Sequence, residues 1–252
     1  MLRRASLLMR LALAMNVLLA GSVIAGEVCP APVIRMIVPN PPGGTGDLIA
    51  RLVSEKAGPE LGQSVVVENH AGATTTIGTQ LVVRSRPDGC TVLSMTTSGL
   101  IVSVLREKMP YDLASDLAPV LSVGSFPMVL AVSANSKIQS MQDLIALIRS
   151  KDGIAYGTGG TGTLAHLSTA RLIRELNGSG THVPFKGNSD AMQALLGQQV
   201  QLFLPSTAES LPLVKAGKIR LLGVTSDERL PSLPDTPTLR ELGFADFTPR
   251  LW

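Results

Sequence analysis

The sequence predicts a mixed α/β fold with two lobes, and three observations lead to this expectation. Short apolar or β-branched runs alternate with segments whose apolar residues recur at helical spacing, which indicates strand–helix crossovers and largely parallel sheets. Glycine-bearing loops follow most of these strands, and they recur too often along 252 residues for one small sheet. Hydrophobic residues make up 45% of the chain and charged residues 16%, a composition that excludes intrinsic disorder.

Residues 1–25 are predicted to be a secretory signal peptide, which implies a periplasmic protein. Arg3 and Arg4 precede an apolar stretch over residues 11–20, and small residues follow before Gly26. The apolar stretch has about half of the ~20 residues that a membrane-spanning helix needs. A signal peptide is therefore favoured over a membrane anchor.

The formal charge of +3 lies in the same N-terminal segment. Removing Arg3, Arg4 and Arg10 from the 22 basic residues leaves 19, which equals the 19 acidic residues. A neutral remainder with only 3% aromatic residues offers neither a basic surface nor base-stacking platforms. We therefore expect no nucleic acid partner.

The elements are expected in the following order. In the first part of the chain, a helix spans Leu48 to Ala57, where apolar residues recur at helical spacing before Gly58-Pro59. Further on, Ser140 and Asp143 form a capping-box pattern that predicts the start of a helix. Strands are expected at 35–39, 64–68, 91–95, 128–132, 154–156, 182–185 and 219–224, and further helices at about 164–176, before Gly197 and before Gly217.

The two lobes are expected to be discontinuous in sequence. No low-complexity linker separates them, so strands at 120–126 and 219–224 are expected to cross between the lobes. Residues 26–124 together with 220–252 are assigned to the first lobe, and residues 125–219 to the second.

Four loops share one form, in which a strand is followed by glycine with serine or threonine and then by a helix. Such loops place backbone N–H groups and small hydroxyls at helix N-termini, where anions are favoured without a cationic side chain. For any single loop, a tight turn with a helix cap is the simpler interpretation. Four of them indicate a shared cleft for a carboxylate or phosphate. The loops cover residues 41–47, 96–99, 157–163 and 185–189.

The patterns typical of enzymes are weaker. Gly157, Gly159 and Gly162 satisfy G-x-G-x-x-G, yet no acidic residue ends the next strand to bind a ribose. A P-loop and a nucleophile elbow are missing, and the three histidines have no metal-ligand spacing with the cysteines. We therefore expect no enzyme, no cofactor and no metal. A nucleotide-binding enzyme that uses the Gly157–Gly162 loop stays as an alternative.

The two cysteines, Cys29 and Cys90, each precede a predicted strand. In an exported protein such a pair is more often bridged than free. The sequence therefore predicts one disulfide between the N-terminal segment and the start of the third strand.

At this point the motifs resemble those of a known family, the Bug-type (TctC-like) solute receptors of tripartite tricarboxylate transporters. The resemblance runs from about Val33 to Trp252, and its specificity comes from many motifs in one order. They include Pro-Pro-Gly-Gly-x-x-Asp (41–47), Val-Val-Val-Glu-Asn (65–69), Pro-Asp-Gly-x-Thr (87–91), Gly-x-Gly-Thr-x-x-His-Leu (160–167), Val-Pro-Phe-Lys-Gly (183–187) and Leu-Pro-Asp-Thr-Pro-Thr (233–238).

The resemblance implies a monomeric periplasmic binding protein of type II, a Venus flytrap that closes on its ligand. The ligand would be a small carboxylate: a di- or tricarboxylate, an amino acid or an aromatic acid. The partner would be a membrane permease or a sensor kinase. Ligand contacts implied in the first lobe are Gly43, Gly44, Thr45, Asp47, Thr97 and Ser98. Those in the second lobe are Gly159, Thr161, Gly162, Thr163, His166, Lys186 and Gly187. Asp47 is equally suited to capping its helix, and Lys186 to a surface or hinge contact.

The chain also departs from the family pattern. Residues 70–75 read His-Ala-Gly-Ala-Thr-Thr where the family usually has Arg-Pro-Gly-Ala-Gly-Gly, Pro205 stands where an Asp is frequent, and Ala170 where a Glu is common. Family members continue past the position of Trp252, which predicts an incomplete first lobe with exposed apolar surface. A truncated remnant without activity is therefore the second alternative.

Overall fold

The computed structural model describes residues 29–252, so the predicted signal peptide lies outside the described residues. Ten strands and eight helices are described in this range. They form a three-stranded sheet, a five-stranded sheet and a small two-stranded pairing. Within residues 29–252, every helix lacks either the length or the continuous apolar character needed to cross a bilayer.

The first lobe is built around a parallel sheet in the order β2-β1-β3. Each strand leads into a helix, as the alternation of apolar runs and amphipathic segments predicts. The strands are β1 (Val33–Val38), β2 (Ser64–Asn69) and β3 (Thr91–Leu93), and the helices are α1 (Thr45–Leu61), α2 (Thr76–Val83), α3 (Thr97–Leu105) and α4 (Leu113–Asp116).

The second lobe is built around a mixed sheet in the order β7-β6-β8-β5-β9. Its strands are β5 (Val129–Ser133), β6 (Ile154–Thr158), β7 (Gly180–Pro184), β8 (Leu202–Phe203) and β9 (Ile219–Val224). Its helices are α5 (Met141–Arg149), α6 (Leu164–Glu175), α7 (Asn188–Leu196) and α8 (Thr207–Lys215).

The expectation of largely parallel sheets is wrong for part of the second lobe. Strands β6, β7 and β8 are parallel, whereas β5 runs antiparallel to both β8 and β9. The chain enters β5 from the first lobe rather than through a crossover helix within the sheet. The rule that a crossover joins parallel strands therefore does not fix the direction of β5.

Two stretches are predicted to be strands that cross between the lobes. Residues 219–224 form a strand, whereas most of residues 120–126 do not. Residues 117–125 form no regular element, and Val120 is 88% exposed. Only Phe126 of the predicted stretch is in a strand, β4 (Phe126–Pro127), which pairs antiparallel with β10 (Arg250–Leu251). The stretch at 219–224 is β9, the edge strand beside β5.

The segment after β9 packs mainly with the second lobe. Leu239 and Phe247 are buried in the same apolar cluster as β5, β6 and β8. The chain then returns to the first lobe at its last residue, where the Thr97 N–H donates to the Trp252 carbonyl at 2.8 Å. These contacts favour moving residues 220–247 to the second lobe, and the division of the chain stays a prediction.

The predicted disulfide is present between Cys29 and Cys90, whose Cα atoms lie 4.9 Å apart. It ties the segment before β1 to the residue before β3. The Arg35 N–H also donates to the Cys90 carbonyl at 2.8 Å, so the bridge continues the pairing of these two strands.

Candidate functional site

The lobes meet through the loops at the carboxyl ends of their parallel strands. Helices begin directly after these loops, so the helix N-termini of both lobes point into the same cleft. In the second lobe the Leu164 N–H donates to Ser98 Oγ at 3.3 Å, and in the first the Pro42 carbonyl accepts from Ser189 Oγ at 3.1 Å. The four loops singled out in the sequence are thus brought together.

The N-terminus of α1 is occupied by groups of the protein itself. The Thr45 N–H donates to Glu209 Oε1 at 2.7 Å, and the Thr45 and Ser206 hydroxyl oxygens lie 2.6 Å apart. Thr45 is 3% exposed and Ser206 is fully buried. Gly44 lies in extended backbone, and a side chain there would approach Glu209 Oε1 to 3.4 Å. This end of the cleft is therefore a contact between the lobes.

Asp47 is engaged inside the first lobe. Its carboxylate accepts from the Gly43 N–H at 3.0 Å and from Asn69 Nδ2 at 2.9 Å, and it forms an ion pair with Arg51 at 3.0 Å. Burial raises the pKa of Asp47, but the hydrogen bonds from Arg51, Gly43 and Asn69 outweigh it and leave the pKa below its ordinary value. In this structure Asp47 holds the loop before α1, and its predicted contact with a ligand stays a prediction.

The loop before α2 has an unusual backbone. Ala73, Thr74 and Thr75 follow one another with φ of 46°, 50° and 74°, a left-handed conformation that β-branched residues rarely adopt. Thr75 is 2% exposed, and within residues 29–252 its hydroxyl has no hydrogen-bond partner. Backbone strain of this kind concentrates at binding sites. The departure from the family pattern at 74–75 thus coincides with the most strained loop of the cleft.

Thr75 and Thr74 line the cleft from the first lobe. The Thr75 hydroxyl lies against the first turn of α3, 3.3 Å from the position that a Cβ on Gly99 would take. The Thr74 hydroxyl lies 3.3 Å from the corresponding position on Gly160 of the second lobe. The N-termini of α2 and α3 and the Gly160 loop therefore enclose one polar corner.

Thr97 and Ser98, at the start of α3, are both engaged. The Thr97 hydroxyl accepts from the Trp252 N–H at 2.9 Å, and both its N–H and hydroxyl contact the Trp252 carbonyl. Ser98 bonds to Leu164 across the cleft, as described above. Ser98 therefore joins the lobes, whereas Thr97 holds the returning chain at Trp252 to the first lobe.

The Gly/Thr loop of the second lobe is closed by its own hydrogen bonds. Thr163 caps α6 by accepting from the His166 N–H at 3.3 Å, and its hydroxyl donates to the Gly160 carbonyl at 2.9 Å. The Gly162 N–H donates to His166 Nδ1 at 3.1 Å, which requires this nitrogen to be unprotonated. Thr161 is exposed at the loop tip.

His166 stacks on His182 with ring centroids 3.9 Å apart, and Tyr156 stacks on His182 at 5.2 Å. Burial lowers the pKa of His166. Burial, with a smaller contribution from the charge of His166, lowers the pKa of His182 to about 4. The imidazoles are therefore neutral near pH 7, and the loop carries no positive charge from them.

The remaining predicted residues have different surroundings. Gly187 is buried against Pro41 of the first lobe, where a side chain would overlap the proline ring. Gly159 lies against Asn188, with no space for a Cβ. Lys186 is exposed and lines a shallow surface depression beside α7 with Asp190 and Gln193. The structure thus brings Gly187 to the contact between the lobes, keeps Gly159 inside the second lobe and leaves Lys186 exposed.

The arrangement suits binding rather than proton transfer. Thr158 Oγ1 lies 2.6 Å from His182 Nε2, a spacing that a nucleophile and its base would show. Thr158 is fully buried, however, and its hydroxyl also donates to the Gly160 carbonyl at 3.1 Å. The pair holds the loop in place and cannot reach a substrate.

Several cleft residues were not found by the sequence analysis. They are Thr74, Thr75, His182, Ser206 and Glu209. For Glu209 a signal existed, since Ser206-x-x-Glu209 is a capping box that the structure forms. That pattern predicts a helix start, but it does not predict that the carboxylate also reaches the other lobe.

Comparison with known proteins identifies the family of the chain. Residues 49–252 match the family described as tripartite tricarboxylate transporter family receptor. Protein BugT of Bordetella pertussis is 35% identical over 232 residues, covering 91% of this chain and 71% of BugT.

Two solved structures are similar over most of the chain. The periplasmic binding protein BugD superposes with a TM-score of 0.83 at 32% identity, covering 88% of this chain and 75% of BugD. MatC from Rhodopseudomonas palustris, solved with bound malate, gives a TM-score of 0.80 at 28% identity, covering 88% and 76% of the two chains. The chain belongs to the tripartite tricarboxylate transporter receptor family, whose members are solute-binding proteins of the periplasm.

Proposed function

We propose that this receptor binds a small carboxylate between its lobes in the periplasm and passes it to a membrane permease or a sensor kinase. Membership of a solute-receptor family and the malate in MatC support this ligand class. The lining of the cleft supports it independently, because neutral N–H groups and hydroxyls at helix N-termini are a preferred environment for carboxylates.

The observation that carries the proposal is the buried Thr75 hydroxyl. Burying a hydroxyl without a partner costs about 1–3 kcal/mol, and a left-handed threonine adds to that cost. A carboxylate in the corner between α2, α3 and Gly160 would accept from this hydroxyl. Ligand binding would then offset the free-energy cost of burying the Thr75 hydroxyl, which folding alone does not relieve.

We place the first carboxylate of the ligand in this corner rather than at α1. The donors at α1 are engaged with Glu209 and Asp47, whereas the Thr75 hydroxyl is buried without a partner among the described residues. The contacts implied by the family resemblance at Thr161, Gly162 and Thr163 belong to the loop that adjoins the same corner. Closure of the lobes around the ligand would bring the Gly160 loop against it.

No chemical step is needed for this function, and the family and its structural neighbours are receptors rather than enzymes. The alternative of a nucleotide-binding enzyme is therefore not retained. Lys186 could attract anions to the cleft but is too exposed to hold one.

The test is isothermal titration of the receptor with small carboxylates, with ATP as a negative control. Gly162→Ala is the informative variant. Its methyl group would lie in van der Waals contact with Val102 of the first lobe, 3.4 Å away, and would hinder any closer approach of the two loops on the ligand. We expect its affinity for a bound carboxylate to fall at least tenfold, about 1.4 kcal/mol.

Gly217→Ala is the matched control. Gly162 and Gly217 both have left-handed φ, 82° and 64°, so both variants carry the same kind of backbone strain. Gly217 follows α8 and has open space around it, away from the cleft. Its variant should bind as the wild type does. Equal losses in both variants, or no heat with any carboxylate, would contradict the proposal.

A further inference from the structure

Glu209 is a carboxylate of the protein that sits where a ligand carboxylate could sit. It belongs to α8 of the second lobe and reaches the N-terminus of α1, a helix of 17 residues in the first lobe. Its Oε1 accepts from the Thr45 N–H at 2.7 Å, the shortest of its hydrogen bonds. The positive end of the α1 dipole favours an anion at this point.

The other contacts of Glu209 complete an anion-binding environment. Asn188 Nδ2 donates to both carboxylate oxygens at 3.1 and 3.2 Å, and the Ser206 N–H donates to Oε2 at 3.3 Å. Every one of these donors is neutral. Within residues 29–252, Glu209 forms no ion pair with a lysine, arginine or histidine. The set resembles what a receptor offers to the carboxylate of a solute.

Glu209 also joins the lobes at a buried position. Next to it, the hydroxyls of Thr45 and Ser206 bond across the same interface at 2.6 Å, and both residues are nearly or fully buried. Oε1 lies 3.4 Å from the position of a Cβ on Gly44, so the close approach depends on a residue without a side chain. The contact therefore links helix α1, helix α8 and the start of α7.

We propose that Glu209 is an internal competitor for the α1 anion position and determines which carboxylates this receptor accepts. In the absence of ligand it closes the lobes by bonding to the Thr45 N–H. A dicarboxylate that places its second carboxylate at α1 must displace Glu209, whereas a monocarboxylate can bind in the Thr75 corner with Glu209 in place. The competition with a dicarboxylate rests on the proposed function, whereas the closing contact in the absence of ligand does not.

The closing contact is tested without ligand, by pulsed electron paramagnetic resonance between spin labels on Lys56→Cys and Lys151→Cys, exposed positions in the two lobes. Glu209→Ala should broaden the distance distribution and shift it to longer values. Because this variant also loses a cap of its own helix, a second variant is needed.

Thr45→Pro is that second variant. It deletes the N–H group that donates to Glu209, and it leaves the Glu209 carboxylate free to cap α8. Proline suits the first position of a helix, and the preceding Gly44, with φ −81° and ψ 167°, has the backbone that proline requires of its neighbour. Thr45→Val is matched to it, since it removes the hydroxyl but keeps the N–H. Thr45→Pro should open the lobes and Thr45→Val should not.

Competition is tested by titration with succinate and butyrate, which differ by a carboxylate in place of a methyl group. In Glu209→Ala we expect the affinity for succinate to rise about tenfold and that for butyrate to change less than twofold. An equal change in affinity for both acids, or no change in affinity for succinate, would overturn the proposed competition between Glu209 and the ligand.

The closing contact and the competition can be refuted independently of each other. Unchanged distances in Glu209→Ala and Thr45→Pro would overturn the closing contact whatever the ligands do. If neither acid binds any variant while both substitutions open the lobes, the closing contact stands and the competition is refuted. The proposed function is judged separately, by the titration with the wider set of small carboxylates.

Discussion

Both lobes are built from strand–loop–helix units, around a parallel sheet in the first lobe and a mixed sheet in the second, but they bury their apolar side chains to very different extents. In the second lobe one continuous cluster runs through the sheet and its helices, and all five residues of β5 are buried. Within the described part of the chain, the first lobe contributes to no such cluster. Its apolar side chains are instead frequently exposed, with Val104 at 78% and Leu121 at 77%.

The difference shows that lobes built from the same strand–loop–helix units can have different sources of stability. The second lobe is held by packing of sheet and helices. The first lobe has a disulfide, the Arg35–Glu68 ion pair at 2.7 Å and a three-stranded sheet with β2 at one edge. Segments with few buried contacts open at lower free energy, so the first lobe should exchange its amide hydrogens faster.

The largest effect is expected from the core of the second lobe. Phe203 is fully buried in β8, and Phe203→Ala should lower the free energy of unfolding by about 3–5 kcal/mol. Chemical denaturation measures this loss. An effect below about 1 kcal/mol would mean that this cluster does not hold the lobe together.

Removal of the disulfide tests the first lobe. The bridge closes a loop with a sequence separation of 61 residues, and Cys29→Ala with Cys90→Ala should cost about 2–4 kcal/mol. Hydrogen exchange should rise in β1, β2 and β3 and stay unchanged in β5, β6 and β8. Equal acceleration in both lobes would show that they unfold as one unit and would remove the distinction.

A smaller effect is expected from pH, and it reports on the second lobe. The pKa of His182, about 4, lies below the unfolded value of ~6.5, so the unfolded state binds more protons between these values. The contribution of neutral His182 is fully present above pH 6.5 and is lost as the pH falls towards 4. The melting temperature should therefore decrease as the pH is lowered through this window.

His182→Gln is the comparison for this measurement, because its amide can still bond to Thr158. The decrease between pH 6.5 and 4.5 should be smaller in the variant than in the wild type. Glu68, whose hydrogen bond from Arg35 lowers its pKa to about 2, titrates below this window in both proteins. Identical pH curves would show that the histidine stack does not contribute.

The smallest effect is expected at the exposed apolar surface of the first lobe. Val120 is 88% exposed, and Val120→Ser should change the free energy of unfolding by no more than about 0.5 kcal/mol. The matched change in the second lobe, Val129→Ser, introduces a hydroxyl at a fully buried site and should cost several times more. A large loss at Val120 would reveal packing that its exposure does not show.

Much of the local structure could be predicted because it depends on neighbours in sequence. The helix beginning after Ser140 with its capping box, the helix end at Gly217 and the disulfide pairing are confirmed. Strand direction in the second lobe and the course of residues 120–126 could not be predicted. Apolar periodicity is the same for a parallel and an antiparallel strand, and a short apolar run alone does not decide between a buried strand and an exposed connection.

The sequence by itself determined that neutral N–H groups and hydroxyls at helix N-termini would form the polar cleft, because glycine, threonine and serine act on the backbone beside them. Only the tertiary structure decided which of these groups are already engaged. Glu209 and Thr45 are separated by 164 residues and meet solely because the lobes close. Thr75, similarly, is an ordinary threonine in the sequence. It stands out only where α3 buries its hydroxyl without a partner in the described chain.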